Sequence, residues 1–163
     1  MRVVLRYIDI FNKYLTIIMG LFLGIMSVVI FFQVFSRFFL GLPLPWSEEL
    51  ARFLMIYTVF FGAAVALRHQ KLIAIEVIAE SVSKNTRRLI KTVANGIGIV
   101  FFIIVLIKGL EVMERVHNQV SAAMQLPMSV AYAAIPIGAV LLIINGIAVI
   151  IELYTVEEGE AES

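Results

Sequence analysis

The sequence predicts an all-α integral membrane protein with four transmembrane helices, a further amphipathic helix in the membrane interface, and both termini in the cytoplasm. Of its 163 residues, 61% are hydrophobic and 15% are charged, whereas soluble domains average about 45–50% apolar and about 25% charged residues. The apolar residues fall into four segments of the length, about 20 residues, that a helix needs to cross the hydrocarbon core. Unpaired backbone groups are not tolerated in lipid, so each segment is expected to be helical.

The four predicted spans cover about residues 14–36, 46–67, 89–107 and 129–151. The first and the fourth contain no charged residue, and the first is too long to be the apolar core of a cleaved signal peptide. The second reaches full length only by including a charged start, described below. Together the spans form one membrane domain, residues 1–155, and the acidic segment 156–163 is expected to be a disordered tail.

The distribution of Lys and Arg predicts the orientation. Four spans place both termini on one side, together with the connector between the second and third spans. That side carries nine of the 13 Lys and Arg residues, and the other side carries four. Since the side richer in Lys and Arg faces the cytoplasm, both termini of this multi-pass protein are predicted to be inside.

The connector between the second and third spans has the pattern of an amphipathic helix over about residues 70–86. At about 100° per residue its apolar side chains share one arc and its charged side chains another. The pattern favours a helix lying in the cytoplasmic interface against phospholipid; a helical hairpin facing water is the alternative. The residues assigned to this arm are Arg68, Leu72, Ile75, Glu76, Ile78 and Val82.

The densest polar cluster opens the second span. Pro43 and Pro45 stop any preceding helix, Ser47 has the position of an N-cap, and two acids precede Arg52 by three and four residues. One interpretation is a helix start with a local ion pair. The other is that a carboxylate also contacts a second polypeptide, because two carboxylates for one arginine leave one carboxylate unpaired at membrane depth. The candidate partner contacts are Trp46, Glu48, Glu49, Arg52 and Tyr57.

Composition argues against most kinds of chemistry. The chain has no cysteine, its net charge is +1, and its two histidines are separated by a whole span. We therefore expect no catalytic, cofactor or metal site and no nucleic-acid partner. The spans also lack the mid-membrane charge that transporters of ions or acids use, so the chain is not expected to translocate a charged solute alone. The residues expected to pack or kink the helices are Gly20, Gly24, Gly62, Pro136 and Gly138.

Three elements together resemble one family. They are Trp46-Ser-Glu-Glu-Leu-Ala-Arg52 followed by Gly62-Ala-Ala and Arg68, then Leu72-Ile-Ala-Ile-Glu76, then the entry to the fourth span from Leu126 to Gly138. Together they resemble the small membrane subunit of tripartite ATP-independent periplasmic (TRAP) transporters, the DctQ-like or Q-subunit family. The chain departs from that pattern at Leu72, where the family usually has His, and at Glu76, where it usually has Asp.

The resemblance implies a multi-pass protein of a bacterial inner membrane that acts as a scaffold rather than an enzyme. It implies a large membrane subunit that holds the substrate and sodium sites and moves as an elevator, and an extracytoplasmic binding protein that delivers an organic acid of the sialic acid or C4-dicarboxylate type. The small subunit would brace the static part of the large one. The alternative is a stand-alone homo-oligomeric four-helix transporter or exporter.

Overall fold

The computed structural model describes residues 2–69 and 84–161, with side chains described for 3–69 and 86–154. It contains five α-helices and one π-helical turn in these ranges. They are α1 (Arg2–Phe35), the π-helical turn (Ser36–Leu40), α2 (Pro45–Arg68), α3 (Lys84–Arg115), α4 (Met128–Tyr132) and α5 (Ala134–Ala161).

Four helices are long and apolar enough to cross a membrane, which confirms the predicted all-α class with four transmembrane helices. The segments that meet this criterion are Val3–Leu40, Pro45–Arg68, Thr86–Arg115 and Met128–Tyr154. Two of them greatly exceed the predicted spans, because a helix need not end where its apolar run ends: polar residues continue the same backbone hydrogen bonding beyond the hydrocarbon. For the same reason the backbone of α5 continues to Ala161, into the segment predicted to be a disordered tail.

The predicted interfacial arm lies almost entirely outside the described residues, which resume at 84. Its assigned residues Leu72, Ile75, Glu76, Ile78 and Val82 all fall within 70–83. The last predicted arm residues, 84–86, belong to the start of α3. The arm therefore stays a prediction.

A tight turn joins α1 to α2. The π-helical turn ends at Gly41, whose φ of 68° is the left-handed conformation that glycine adopts without strain. The Ser36 hydroxyl donates to the Leu42 carbonyl at 2.8 Å, which closes the turn. Helix α2 then begins at Pro45, the first helical position, where a missing N–H costs nothing. Ser47 is therefore not the N-cap predicted above: it lies inside the first turn, buried, and donates to the Leu44 carbonyl at 2.6 Å.

Helix α5 lies at the centre of the bundle. It packs against α2 on one side and α3 on the other, while α1 packs mainly against α2. Within the described residues α1 and α3 do not approach each other. A core of Leu15 from α1, Phe61 and Leu67 from α2, and Leu141 and Leu142 from α5 joins the three helices.

Helix α1 contacts the bundle along a single seam. Every residue that is not exposed recurs at alternating spacings of three and four, as in a coiled coil. The rest of the helix surface is exposed and faces away from the chain. The seam residues are Leu5, Ile8, Asn12, Leu15, Met19, Phe22, Met26, Val29, Gln33 and, in the π-helical turn, Ser36.

The predicted packing residues divide into two groups. A Cβ on Gly138 would lie 2.5 Å from Phe60 Cβ, and one on Gly62 would lie 3.2 Å from Met19 Cε, so both glycines permit a close helix contact. Gly20 and Gly24 are different: they lie off the α1 seam with open space around them, and pack against nothing in the described chain. Pro136 lies in the first turn of α5, just after the interruption at Ala133 that separates α5 from α4, as expected for a residue that removes a helical hydrogen bond.

Candidate functional site: polar networks at the two ends of the bundle

The polar side chains of the spans gather at opposite ends of the bundle. One end, here the basic end, holds the start of α1 and the ends of α2 and α5, joined by contacts of Arg68 with Asp9 and Glu152. The other, here the Trp46 end, holds the end of α1, the start of α2 and the loop between α3 and α4. The predicted partner-contact cluster lies toward the Trp46 end, and Arg68 belongs to the basic end.

At the Trp46 end, Glu49 holds the loop between α3 and α4. Its two carboxylate oxygens accept hydrogen bonds from the backbone N–H groups of Ala123 and Met124, each at 2.9 Å. Both acceptor atoms are thus used within the chain, in the charge-assisted geometry that is strongest for a carboxylate. Glu49 therefore connects the first turn of α2 to the distant loop, rather than being the charge left over for a partner.

The loop that Glu49 holds has its own internal bonding. Val120 and Pro127 form an antiparallel bridge, with Met128 N donating to the Gln119 carbonyl at 2.8 Å and Ser121 N to the Leu126 carbonyl at 2.8 Å. Gln125 takes a φ of 54°, which lets the chain reverse within this short stretch. The loop is thus a closed hairpin-like unit, anchored to α2 by one side chain.

Glu48 and Arg52 do not form the predicted local ion pair. Glu48 accepts a hydrogen bond from Gln33 Nε2 at 2.8 Å, which links α2 to the α1 seam. Arg52 is exposed, and its side chain has no hydrogen bond or ion pair with any residue that the structure describes. Trp46 is also exposed, at 43% of its surface. Trp46 and Arg52 therefore face away from the bundle, whereas Glu48 is exposed but bonded to α1.

Tyr57, the fifth predicted partner contact, is used internally. Its hydroxyl donates to the Val130 carbonyl in α4 at 2.7 Å, and its ring packs edge-on against Phe22 and Phe61. The bond spans the gap between α2 and the short helix that precedes α5. Tyr57 therefore positions α4 against α2.

At the basic end, Arg68 joins three helices. It is the last residue of α2 and is 6% exposed. Its Nε lies 2.8 Å from an oxygen of Asp9 in α1, and its Nη1 is paired with Glu152 in α5. The sequence assigns Arg68 to the interfacial arm, whereas in the structure it is the last residue of α2. Two carboxylates from other helices hold its side chain inside the bundle end.

Two asparagines form a second buried link at the basic end. Asn12 in α1 and Asn145 in α5 are each 2% exposed. Their side-chain amides donate to one another's oxygens, both at 2.8 Å, and Asn145 also donates to the Ala64 carbonyl of α2 at 2.7 Å. About two and a half turns further along α5, the Arg88 guanidinium of α3 lies 3.8 Å from the ring centre of Tyr154. All four long helices are thus connected at this end.

Sequence reasoning missed much of the basic-end network. Asp9, Asn12 and Glu152 were not singled out, because Asp9 and Asn12 precede the predicted first span and Glu152 follows the fourth. One signal was available: Asn12 falls in register with the three-and-four apolar repeat of α1, so it is a polar residue at a contact position.

Comparisons with known proteins agree on one family. The family model described as "Tripartite ATP-independent periplasmic transporters, DctQ component" matches residues 25–156, most of the chain. The chain is 27% identical over 135 residues to a protein of Haemophilus influenzae described as a TRAP transporter small permease protein, covering 83% of this chain and 80% of the relative.

Two further relatives are matched over a smaller share of their length. The sialic acid TRAP transporter permease protein SiaT of Haemophilus influenzae is 27% identical over 122 residues, which are 75% of this chain and 20% of SiaT. The C4-dicarboxylate TRAP transporter small permease protein DctQ of Rhodobacter capsulatus is 29% identical over 104 residues, which are 63% of this chain and 46% of the relative. The chain belongs to the DctQ-component family of tripartite ATP-independent periplasmic transporters, as a multi-pass inner-membrane subunit of a transporter and not an enzyme.

Proposed function

We propose that this small TRAP subunit braces a large elevator-type membrane subunit during sodium-coupled uptake of an organic acid. An extracytoplasmic binding protein delivers the acid, and the large subunit holds the substrate and sodium sites. The small subunit contributes a fixed surface against which the static part of the large one is held.

The observation that carries the bracing role is how the chain uses its own polar groups. Several interior polar side chains of the described spans already have partners within the chain: Asn12 with Asn145, Tyr57 with the Val130 carbonyl, and Thr58 with the Leu54 carbonyl at 2.7 Å. An organic anion would need free donors or a cation near mid-membrane. A bundle core in which these polar groups are satisfied internally suits a rigid support better than a translocation site, and Arg52, a cation with no partner among the described residues, lies on the outer surface of the bundle rather than in its interior.

The relatives support the proposed substrate class. One matched relative is described as a sialic acid permease and another as a C4-dicarboxylate small permease protein. Both substrates are organic acids, which supports an organic anion for this chain. Sodium coupling and the elevator movement are what the resemblance to the family implies.

Reconstitution from purified components tests the proposal. Proteoliposomes with the large subunit and this chain should take up labelled sialic acid or a labelled C4-dicarboxylate only when binding protein and an inward sodium gradient are both present. Omitting this chain should abolish uptake. Undiminished uptake without this chain would contradict the bracing role, and uptake without a sodium gradient would contradict the sodium coupling.

A parallel sample addresses the alternative. Proteoliposomes that contain this chain by itself should show no uptake or efflux of either acid. Transport by the chain in isolation would instead identify it as a stand-alone homo-oligomeric transporter.

A further inference from the structure

One face of α2 is exposed from Glu48 to Ala63, over most of the candidate membrane span. Its exposed residues recur every three or four positions, the spacing of one helix face. From the Trp46 end toward the basic end, its side chains are first charged, then apolar and finally small. Met55 is 57% exposed and Val59 is 58% exposed. We name it the α2 stripe; its residues are Glu48, Arg52, Met55, Val59 and Ala63.

Arg52 lies within membrane depth on this stripe. It is 16 residues before Arg68, a distance of about 24 Å along the helix axis at about 1.5 Å per residue. Arg68 lies at the level of the basic-end network, so a hydrocarbon core of about 30 Å that begins there still encloses Arg52. A cation at that depth is costly unless it has a polar partner, and Arg52 has none among the described residues.

The apolar middle of each other long helix that the structure describes carries no charge. Lys108, beyond the apolar run of α3, is exposed but paired with Glu111 at 2.9 Å. Residues 14–35 of α1, 92–107 of α3 and 134–151 of α5 contain no Asp, Glu, Lys or Arg. Their exposed faces suit lipid hydrocarbon, whereas the α2 stripe does not.

We propose that the α2 stripe is the surface on which the large membrane subunit docks, with a carboxylate of one of its transmembrane helices paired to Arg52. This inference rests on the proposed function and adds the surface and the chemistry of the partner. The small side chain at Ala63 and the unbranched Met55 let a second helix approach closely below the ion pair.

The position of Glu48 favours a carboxylate at the depth of Arg52 over a lipid phosphate. Glu48 is exposed and lies one turn nearer the Trp46 end than Arg52. Arg52 would have to extend past this carboxylate to reach the headgroups by snorkelling, and a phosphate there would meet the negative charge of Glu48. A carboxylate on a docked helix approaches Arg52 from the side instead.

Site-specific photo-crosslinking in the intact complex tests the surface. A photoreactive phenylalanine is placed at Met55 or Val59, with matched controls at Val28 of α1 and Ile97 of α3, which are 66% and 68% exposed. Adducts with the large subunit should come from the two α2 positions and not from the controls. A complex that co-purifies but gives protein adducts only from α1 or α3, or none from α2, would overturn the inference.

Charge variants test the partner chemistry. Arg52→Glu should lower the yield of co-purified large subunit at least about tenfold, whereas Arg52→Lys should keep most of it, because the cation is retained. Val59→Trp should also lower the yield, and Ile97→Trp should not. Normal yield with Arg52→Glu would mean that Arg52 faces lipid phosphate and that the ion pair does not exist.

Folding and assembly are separated by a further measurement. Each variant is first checked for a single symmetric peak in detergent, so that loss of the complex is not loss of the fold. If the unaltered chain never co-purifies with a large subunit, the proposed function fails; if it does and the α2 variants assemble normally, only the docking surface fails.

Discussion

The pairing of Asn12 with Asn145 shows how single residues set the register of this bundle. A buried amide without a partner costs free energy, so two amides that satisfy each other favour one alignment of α1 on α5 over its neighbours. Sliding α1 by one turn would break both amide–amide bonds and leave Asn12 only with the Ile8 carbonyl of its own helix and Asn145 only with the Ala64 carbonyl. The pair therefore contributes more to specificity than to overall stability.

A double-mutant cycle measures this pair. Asn12→Leu or Asn145→Leu should each lower the free energy of unfolding by about 1–2 kcal/mol, because the remaining asparagine stays buried without its partner. The double variant should lose clearly less than the sum of the two. Equilibrium unfolding in mixed micelles gives the values, with Asn95→Leu as the control, since Asn95 bonds only the Lys91 carbonyl of its own helix. Additive losses would contradict the coupling.

At the residue scale, the sequence locates the polar cluster of the second helix, but it does not predict which groups these side chains contact. The segment from Trp46 to Arg52 was correctly marked as a polar cluster at the start of the second helix. The partners of Glu49, however, lie 74 and 75 residues away, on backbone N–H groups. Backbone donors have no sequence signature, so only the folded loop reveals that the local Glu–Arg pair is not formed.

The ion pairs of Arg68 act between elements. Helix α1 has only one contact seam, so its first three turns depend on a few interactions to stay against the bundle. Asp9 supplies one of these through Arg68, while Glu152 secures the end of α5 to the same guanidinium. Arg68 therefore holds two helix ends that the apolar core, which lies further along the bundle, does not reach.

Replacing Arg68 tests this role. Arg68→Met keeps much of the side-chain length but leaves Asp9 and Glu152 without their cation, so unfolding free energy should fall by about 2 kcal/mol. The loss should be below that of a fully buried pair because Asp9 is 54% exposed and screened by solvent. Hydrogen exchange should rise in the first three turns of α1. Lys108→Met, which removes a 66% exposed surface pair, is the matched control.

Neutralising the partners sharpens the test. The variant with Asp9→Asn and Glu152→Gln in addition to Arg68→Met should recover part of the lost stability, since it no longer holds unpaired carboxylates. Equal hydrogen exchange in α1 for Arg68→Met and the unaltered chain would show that the ion pairs do not hold the helix.

At the element scale, hydropathy located the helices but not their ends. The apolar run that begins near residue 14 marks where lipid starts, whereas α1 itself begins at Arg2. The polar residues Asp9 and Asn12 continue the helix because they have partners on other helices, which hydropathy cannot show. Pro136 differs from Asp9 and Asn12, because its missing N–H acts within its own helix and can be interpreted from the sequence alone. The interruption at Ala133 lies where the sequence predicts a disturbance of the fourth span.

In the whole molecule, the distribution of Lys and Arg and the contacts between helices distinguish the same two ends of the bundle. The basic-end network brings the start of α1 and the ends of α2 and α5 together, next to the start of α3. These chain segments carry eight of the 13 Lys and Arg residues, and the sequence places a ninth, Lys71, in the connector between α2 and α3. The positive-inside rule therefore predicts that the basic end faces the cytoplasm, which would place the loop held by Glu49 outside, toward the binding protein.

Single-cysteine labelling tests this orientation, and the chain suits it because it contains no cysteine of its own. Val120→Cys, at an exposed position in the loop of the Trp46 end, should react with a membrane-impermeant maleimide in intact spheroplasts. Val3→Cys, exposed at the basic end, should react only after the membrane is permeabilised. Val28→Cys should react in neither case, because hydrocarbon surrounds it. Labelling of Val3→Cys but not Val120→Cys in intact spheroplasts would reverse the orientation and place the Glu49 loop where no extracytoplasmic binding protein could reach it.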